Sequence, residues 1–160
     1  MVRVGDKAPG FDLPALIGGV RQRFRLEEQR GTNLVLAFYP SNWEPVSTAQ
    51  FTEYQIQRER LQASDAEVVG ISVDSIMNTT AWEREIGPFD FPLCSDFWPH
   101  GEVCRHYGVL RSEGPGSGAS ERAIAIVDKG GNIAFTSEYG VSEVPDIEEL
   151  FESLRALRAA

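Results

Sequence analysis

Phe38-Tyr39-Pro40-Ser41-Asn42-Trp43-Glu44-Pro45-Val46-Ser47 joins the end of one regular element to the start of another. Its first residues close the run Leu34 to Tyr39, a near-continuous apolar stretch of the kind found in a strand covered on both faces. Pro45 fits the first position of a helix, because the N–H that proline lacks would have no intrahelical partner there. A helical pattern then extends to about Ala63. Residue 47 falls in the first turn, where unpaired N–H groups and the positive end of the helix dipole favour an anion. Glu44, just before this turn, has two readings. It either points to solvent, where an acid is mildly favourable near a helix start, or turns inward over the turn.

Further out, Val68 to Val73 and Ala123 to Val127 are apolar runs of the same type and complete a set of central strands. Helical patterns cover about Met77 to Ile86, Pro99 to Tyr107, and Pro145 to Arg158. The last carries Ile147, Leu150, Phe151, Leu154 and Leu157 on one stripe, with acids in its first turn. Asp128-Lys129-Gly130-Gly131-Asn132 lies between two strand-like runs and reads as a hairpin turn. Ser112 to Ser120, rich in Gly and Ser, reads as a mobile loop before the strand that carries Arg122. Strand, helix, strand, helix, hairpin and final helix is the order of a thioredoxin-like α/β sandwich, with a central mixed sheet flanked by helices. Residues 1–160 are expected to form one such domain, and no internal repeat occurs.

The 24 acidic residues outnumber the 15 basic ones, giving a net charge of −9 that disfavours nucleic-acid phosphate or an anionic membrane as partner. No apolar run has the length of a membrane helix, and the N-terminus lacks the form of a secretion signal, so a cytoplasmic protein is expected. The two cysteines, Cys94 and Cys104, are too few for a disulfide framework and lack Cys-x-x-Cys spacing. His100 and His106 have no partner at metal-ligand spacing, so neither a metal nor a cofactor is expected. Trp43, Trp82 and Trp98 read as packing residues.

The chain resembles the peroxiredoxins, the alkyl hydroperoxide reductase and thiol-specific antioxidant family, whose active-site loop reads Phe-Tyr-Pro and then x-x-x-Thr/Ser-x-x-Cys. Further stretches carry the likeness in order: Val4 to Pro14, Gly70 to Asp74, Phe91 to Leu93, His106 to Val109, and Glu121 to Asp128. The resemblance implies a cytoplasmic antioxidant oxidoreductase that reduces hydrogen peroxide or an organic hydroperoxide at the expense of a thiol, as a monomer or a homodimer. It assigns Pro40 to shielding the site from water and Arg122 to the place beside the thiolate. It also puts Glu44 where the family has Thr or Ser, and Ser47 where it has the attacking cysteine.

Those two departures govern the functional reading. A peroxidatic thiol must be acidified from a pKa of about 8.5 to attack the O–O bond. A serine hydroxyl is far less acidic and lacks the oxidisable sulfur that cycles through a sulfenic acid. A carboxylate at position 44 would moreover oppose acidification of any thiol at position 47. Replacement of one cysteine by design would leave Glu44 unexplained, so the pair of changes favours natural divergence. Two classes stay open. One is a thiol peroxidase, altered at position 47 or acting through Cys94 or Cys104 as resolving or alternative thiols. The other is a non-catalytic peroxiredoxin-fold protein that binds a partner or small ligand. The bland reading of both cysteines is as small buried hydrophobes. A thioredoxin-like reductase ranks third, since Glu121-Arg122 stands where a cis-proline would be needed. A hydrolase with Ser47 as nucleophile lacks a histidine in the pocket-building segments. If Glu44 turns inward, it is expected to pair with Arg122 and close the site.

Overall fold

A computed structural model describes residues 1–159. Seven strands form one mixed sheet in the order β2-β1-β5-β4-β3-β6-β7. They are β1 (Asp12–Ile17), β2 (Val20–Arg25), β3 (Asn33–Phe38), β4 (Ala66–Ser72), β5 (Leu93–Ser95), β6 (Arg122–Val127) and β7 (Ile133–Tyr139). β3, β4 and β5 run parallel, while β6 lies antiparallel to β3 and so turns its first residue, Arg122, toward the end of the sheet where β3 finishes.

Side chains alternate across the central strands. Leu34, Leu36 and Phe38 enter one core layer, which includes Val103 and Cys104 of α4 (Glu102–His106). Val35, Ala37 and Tyr39 enter the other. That layer is covered by α1 (Pro45–Ile56), α2 (Arg58–Ala63), α3 (Ile76–Ile86) and α5 (Ile147–Ala159). Every residue of β3 and β6 is buried, the apolar runs Leu34 to Phe38 and Ala123 to Val127 together with the polar residues that precede them, Asn33 and Arg122. The β6–β7 turn is fixed by Asp128, whose Oδ1 accepts from the N–H groups of Gly130 and Asn132, with Gly131 at φ 88°.

Several elements differ from the sequence reading. The helix expected from Pro45 to Ala63 is two helices, broken at Gln57, whose backbone leaves helical geometry at φ −90°, ψ 10°. The helix expected over Pro99 to Tyr107 begins only at Glu102, because Gly101 is left-handed and interrupts it. The last helix starts at Ile147 instead of Pro145. The hairpin β1–β2 went unread although β1 carries the apolar run Leu13 to Ile17 before Gly18-Gly19, because its partner β2 has only Val20 and Phe24 among polar residues. The segment from Ser112 to Ser120 is tied at its base by an Arg111–Glu121 ion pair at 2.8 Å and a Leu110–Ser120 bridge. Of the tryptophans only Trp82 is a packing residue; Trp43 and Trp98 are exposed.

Gly70 of β4 sets how closely α1 approaches the sheet. A Cβ there would lie 2.7 Å from the Phe51 ring and 2.8 Å from the Leu93 side chain, closer than real Cβ contacts. Phe51 is fully buried, so α1 cannot yield without lifting its aromatic anchor. Gly70→Ala is therefore expected to destabilise the protein by about 1–3 kcal/mol through overpacking. Urea denaturation of the two proteins checks this, and an unchanged midpoint would mean that α1 shifts freely on the sheet.

Candidate active site

The chain leaves β3 with the Tyr39 N–H donating to the Ile71 carbonyl at 3.1 Å, and then turns across the sheet end. Asn42, buried, is the anchor of the crossing. Its N–H donates to Asp74 Oδ2 at 2.9 Å, its Nδ2 donates to Thr79 Oγ1 at 2.9 Å and Asn78 Oδ1 at 3.0 Å, and its Oδ1 accepts from the Tyr39 hydroxyl at 2.7 Å. Trp43 adopts φ 69°, an uncommon left-handed conformation for a bulky residue, while its indole donates to Asn78 Oδ1 at 3.0 Å. Pro40 is half-buried at the start of the crossing.

The crossing delivers Glu44 to the N-terminus of α1, where it caps the helix from an extended backbone (φ −79°, ψ 129°). Glu44 Oε1 accepts from the Val46 N–H at 2.8 Å. Glu44 Oε2 accepts from the Ser47 N–H, the Ser47 hydroxyl and Arg122 Nη2, each at 2.8 Å. Helix-start donors that usually meet a Ser, Thr, Asp or Asn are thus met by a longer carboxylate.

Arg122 reaches the same point from β6 and is fully buried. Nη1 donates to Gln50 Oε1 at 2.8 Å and to Ser47 Oγ at 3.2 Å, and Nη2 also donates to the Val141 carbonyl at 3.0 Å. Gln50 is held in turn through its Nε2 to the Tyr54 hydroxyl at 2.9 Å. Among the described residues, the one carboxylate hydrogen-bonded to Arg122 is that of Glu44. Partial burial pushes the Glu44 carboxyl upward more than any other single influence. The bonds from Val46, from both Ser47 donors and from Arg122 together outweigh it and hold the group below its ordinary value.

The structure therefore brings Ser47, Glu44 and Arg122 into direct contact, with Glu44 turned inward. Cys94 and Cys104 lie elsewhere, on β5 and α4, in the core layer on the opposite face of the sheet from Phe51 and Tyr54 of α1. Burial, with the Asp96 charge adding to it, pushes both thiols well above the usual thiol range. His100 Nε2 lies 2.6 Å from the Gly118 carbonyl, and His106 is exposed. No group of three His, Cys, Asp or Glu side chains is placed to hold a metal among the described residues. Gln50 and Asn42 went unread in the sequence. Gln50 could have been found, because it lies three residues after Ser47 and so on the same helical face. The Val141 carbonyl has no sequence signal.

A model of the AhpC/TSA family matches residues 4–136. Alkyl hydroperoxide reductase E of Mycobacterium tuberculosis is 31% identical over 99% of this chain and 100% of its own length. Peroxiredoxin-2 of Mus musculus is 28% identical over 98% of this chain and 78% of its own. Among solved structures, Enterococcus faecalis AhpC superposes with a TM-score of 0.88 at 28% identity, covering 99% of this chain and 93% of that one. The scaffold is that of a peroxide reductase with a thioredoxin-like fold.

Glu44 couples the site to stability. Glu44→Ala removes a helix cap and leaves Arg122 buried without a counter-charge. The expected cost at neutral pH is about 2–4 kcal/mol, reduced from the fully buried case because Glu44 is partly exposed. A depressed folded pKa gives a contribution that is present above the unfolded value, about 4.3, and lost as pH falls through the folded one. The stability gap between wild type and variant should accordingly close on acidification below about pH 4. Denaturation curves at several pH values check both size and direction. A gap that widened in acid would show that the carboxyl is not held ionised.

Proposed function

Since this chain belongs to the AhpC/TSA family, we propose that it is a peroxide-reductase scaffold made catalytically silent at position 47 and closed by Glu44. The observation that carries this reading is the place of Ser47 Oγ, buried at the N-terminus of α1 and bonded to both Glu44 and Arg122. A thiolate there would bond to one peroxide oxygen while the O–O bond breaks and the other oxygen leaves as hydroxide or alkoxide. The resulting sulfenic acid would then be reduced by a thiol. Ser47 offers no anion for the attack and no sulfur to carry the oxidation.

The Ser47–Glu44 bond supports divergence over isolated replacement of one cysteine. Glu44 supplies the negative charge that an attacking thiolate would have brought to Arg122, so the two departures form one electrostatic unit. Activity through a displaced thiol is disfavoured by the burial of Cys94 and Cys104 and by the direction in which their acidity is pushed. We read residues 1–160 as one domain acting in the cytoplasm, as a monomer or homodimer, in a binding role instead of peroxide turnover. No helix among the described residues is long and apolar enough to cross a membrane.

In a thiol-dependent assay the protein should consume hydrogen peroxide no faster than free cysteine. A faster rate that survives Cys94→Ala with Cys104→Ala would defeat the reading. Ser47→Cys should recover only part of the expected reactivity. Adding Glu44→Thr should lower the thiol pKa further, by on the order of one unit. Equal thiol pKa values in the single and double variants would mean that position 47 does not feel Glu44.

A further inference from the structure

The donors around Glu44 form a receptor that its own side chain fills. Both carboxylate oxygens are engaged, one by the Val46 N–H and the other by the Ser47 N–H, the Ser47 hydroxyl and Arg122 Nη2. Arg122 is fully buried, aimed at this point, and keeps a further N–H, at Nε, without a partner among the described residues. The Val46 and Ser47 groups belong to the first turn of a twelve-residue helix and Arg122 to β6, so two separate elements bring these donors together. Glu44 itself is about one third exposed, which gives its carboxylate a path to water by side-chain rotation alone.

The chemistry selects the ligand. With serine at position 47, a neutral peroxide would leave Arg122 as a buried cation without counter-charge. A phosphate dianion would put two charges against a single guanidinium. A planar monocarboxylate matches one cation and presents two acceptor oxygens to the converging donors. Building on the reading that the pocket does not turn over peroxide, we propose that it is a monocarboxylate-binding site, with Glu44 as its exchangeable internal occupant and small R–COO⁻ anions as the ligand class. Glu44 competes from within the chain at high effective concentration, so it sets the affinity for a free ligand.

The test uses Glu44→Ala and sodium acetate, with sodium formate as a smaller probe and sodium chloride at equal ionic strength as control. Acetate should shift the Val46 and Ser47 amide resonances saturably, with millimolar affinity as befits so small a ligand, and should raise the melting temperature of the variant. Wild type should respond about tenfold more weakly, and Glu44→Ala combined with Arg122→Met should not respond. Absence of a saturable shift, the same shift with chloride, or a response retained without Arg122 would each overturn the proposal. Glu44→Ser, which keeps a short capping oxygen and leaves the carboxylate position open, serves the same titration if Glu44→Ala does not fold. None of these readouts involves peroxide, so their failure would leave the activity reading standing. Conversely, peroxide turnover would not imitate acetate binding.

Discussion

A guanidinium buried in the core must have its charge met inside the protein, and Arg122 imposes that requirement on everything around it. A buried cation without a partner is costly enough to threaten a fold that rests on a few kcal/mol. Four acceptors engage its two Nη groups: a carboxylate from the loop before α1, a hydroxyl and an amide oxygen from α1 itself, and a backbone carbonyl from the β7–α5 connection. Segments far apart in sequence are thereby joined at one point at the start of β6.

The strand ends explain why the candidate site forms at this point. β3 and β6 are antiparallel neighbours, so the residue leaving β3 and the residue entering β6 meet at the same edge of the sheet. Asn42 then fixes the path between β3 and α1 by bonding to Tyr39, Asp74 and α3 together, which aims the helix N-terminus at Arg122. Gly70 lets Phe51 settle on the sheet and fixes the depth of that helix. In a peroxide-reducing member of the family the anion at this junction is a thiolate that reacts. Here a carboxylate stands beside Arg122, and under the proposed function the junction keeps its electrostatic balance without that reactivity.

Much of this was legible in the sequence because it rests on strong local rules. Runs such as Leu34 to Tyr39 and Ala123 to Val127 can hardly be anything but doubly covered strands in this context, and Pro45 marks a helix start. The resemblance then located Ser47 and Arg122. What escaped was decided by contacts with no local signature. In the β1–β2 hairpin the edge strand β2 carries only Val20 and Phe24 between polar residues, with Arg23 and Arg25 paired to Asp12, so its half of the hairpin has no apolar run. The break at Gln57 is a single change of backbone angle inside a helical composition. Trp43 and Trp98 were assigned to packing because tryptophan is usually covered, yet both face outward. The inward rotamer of Glu44 is one of two readings the sequence leaves open, because no local rule directs a glutamate at a helix start; its contact with Arg122 decides between them.

The account turns on whether the Glu44 carboxylate carries its charge against Arg122. Carbon-13 detection of the Glu44 side-chain carboxyl during a pH titration of the intact protein measures this directly. The account predicts a midpoint below the ordinary glutamate value of about 4.3. A midpoint at or above that value would contradict it, leaving Arg122 to be balanced by something other than the residue that now closes the site.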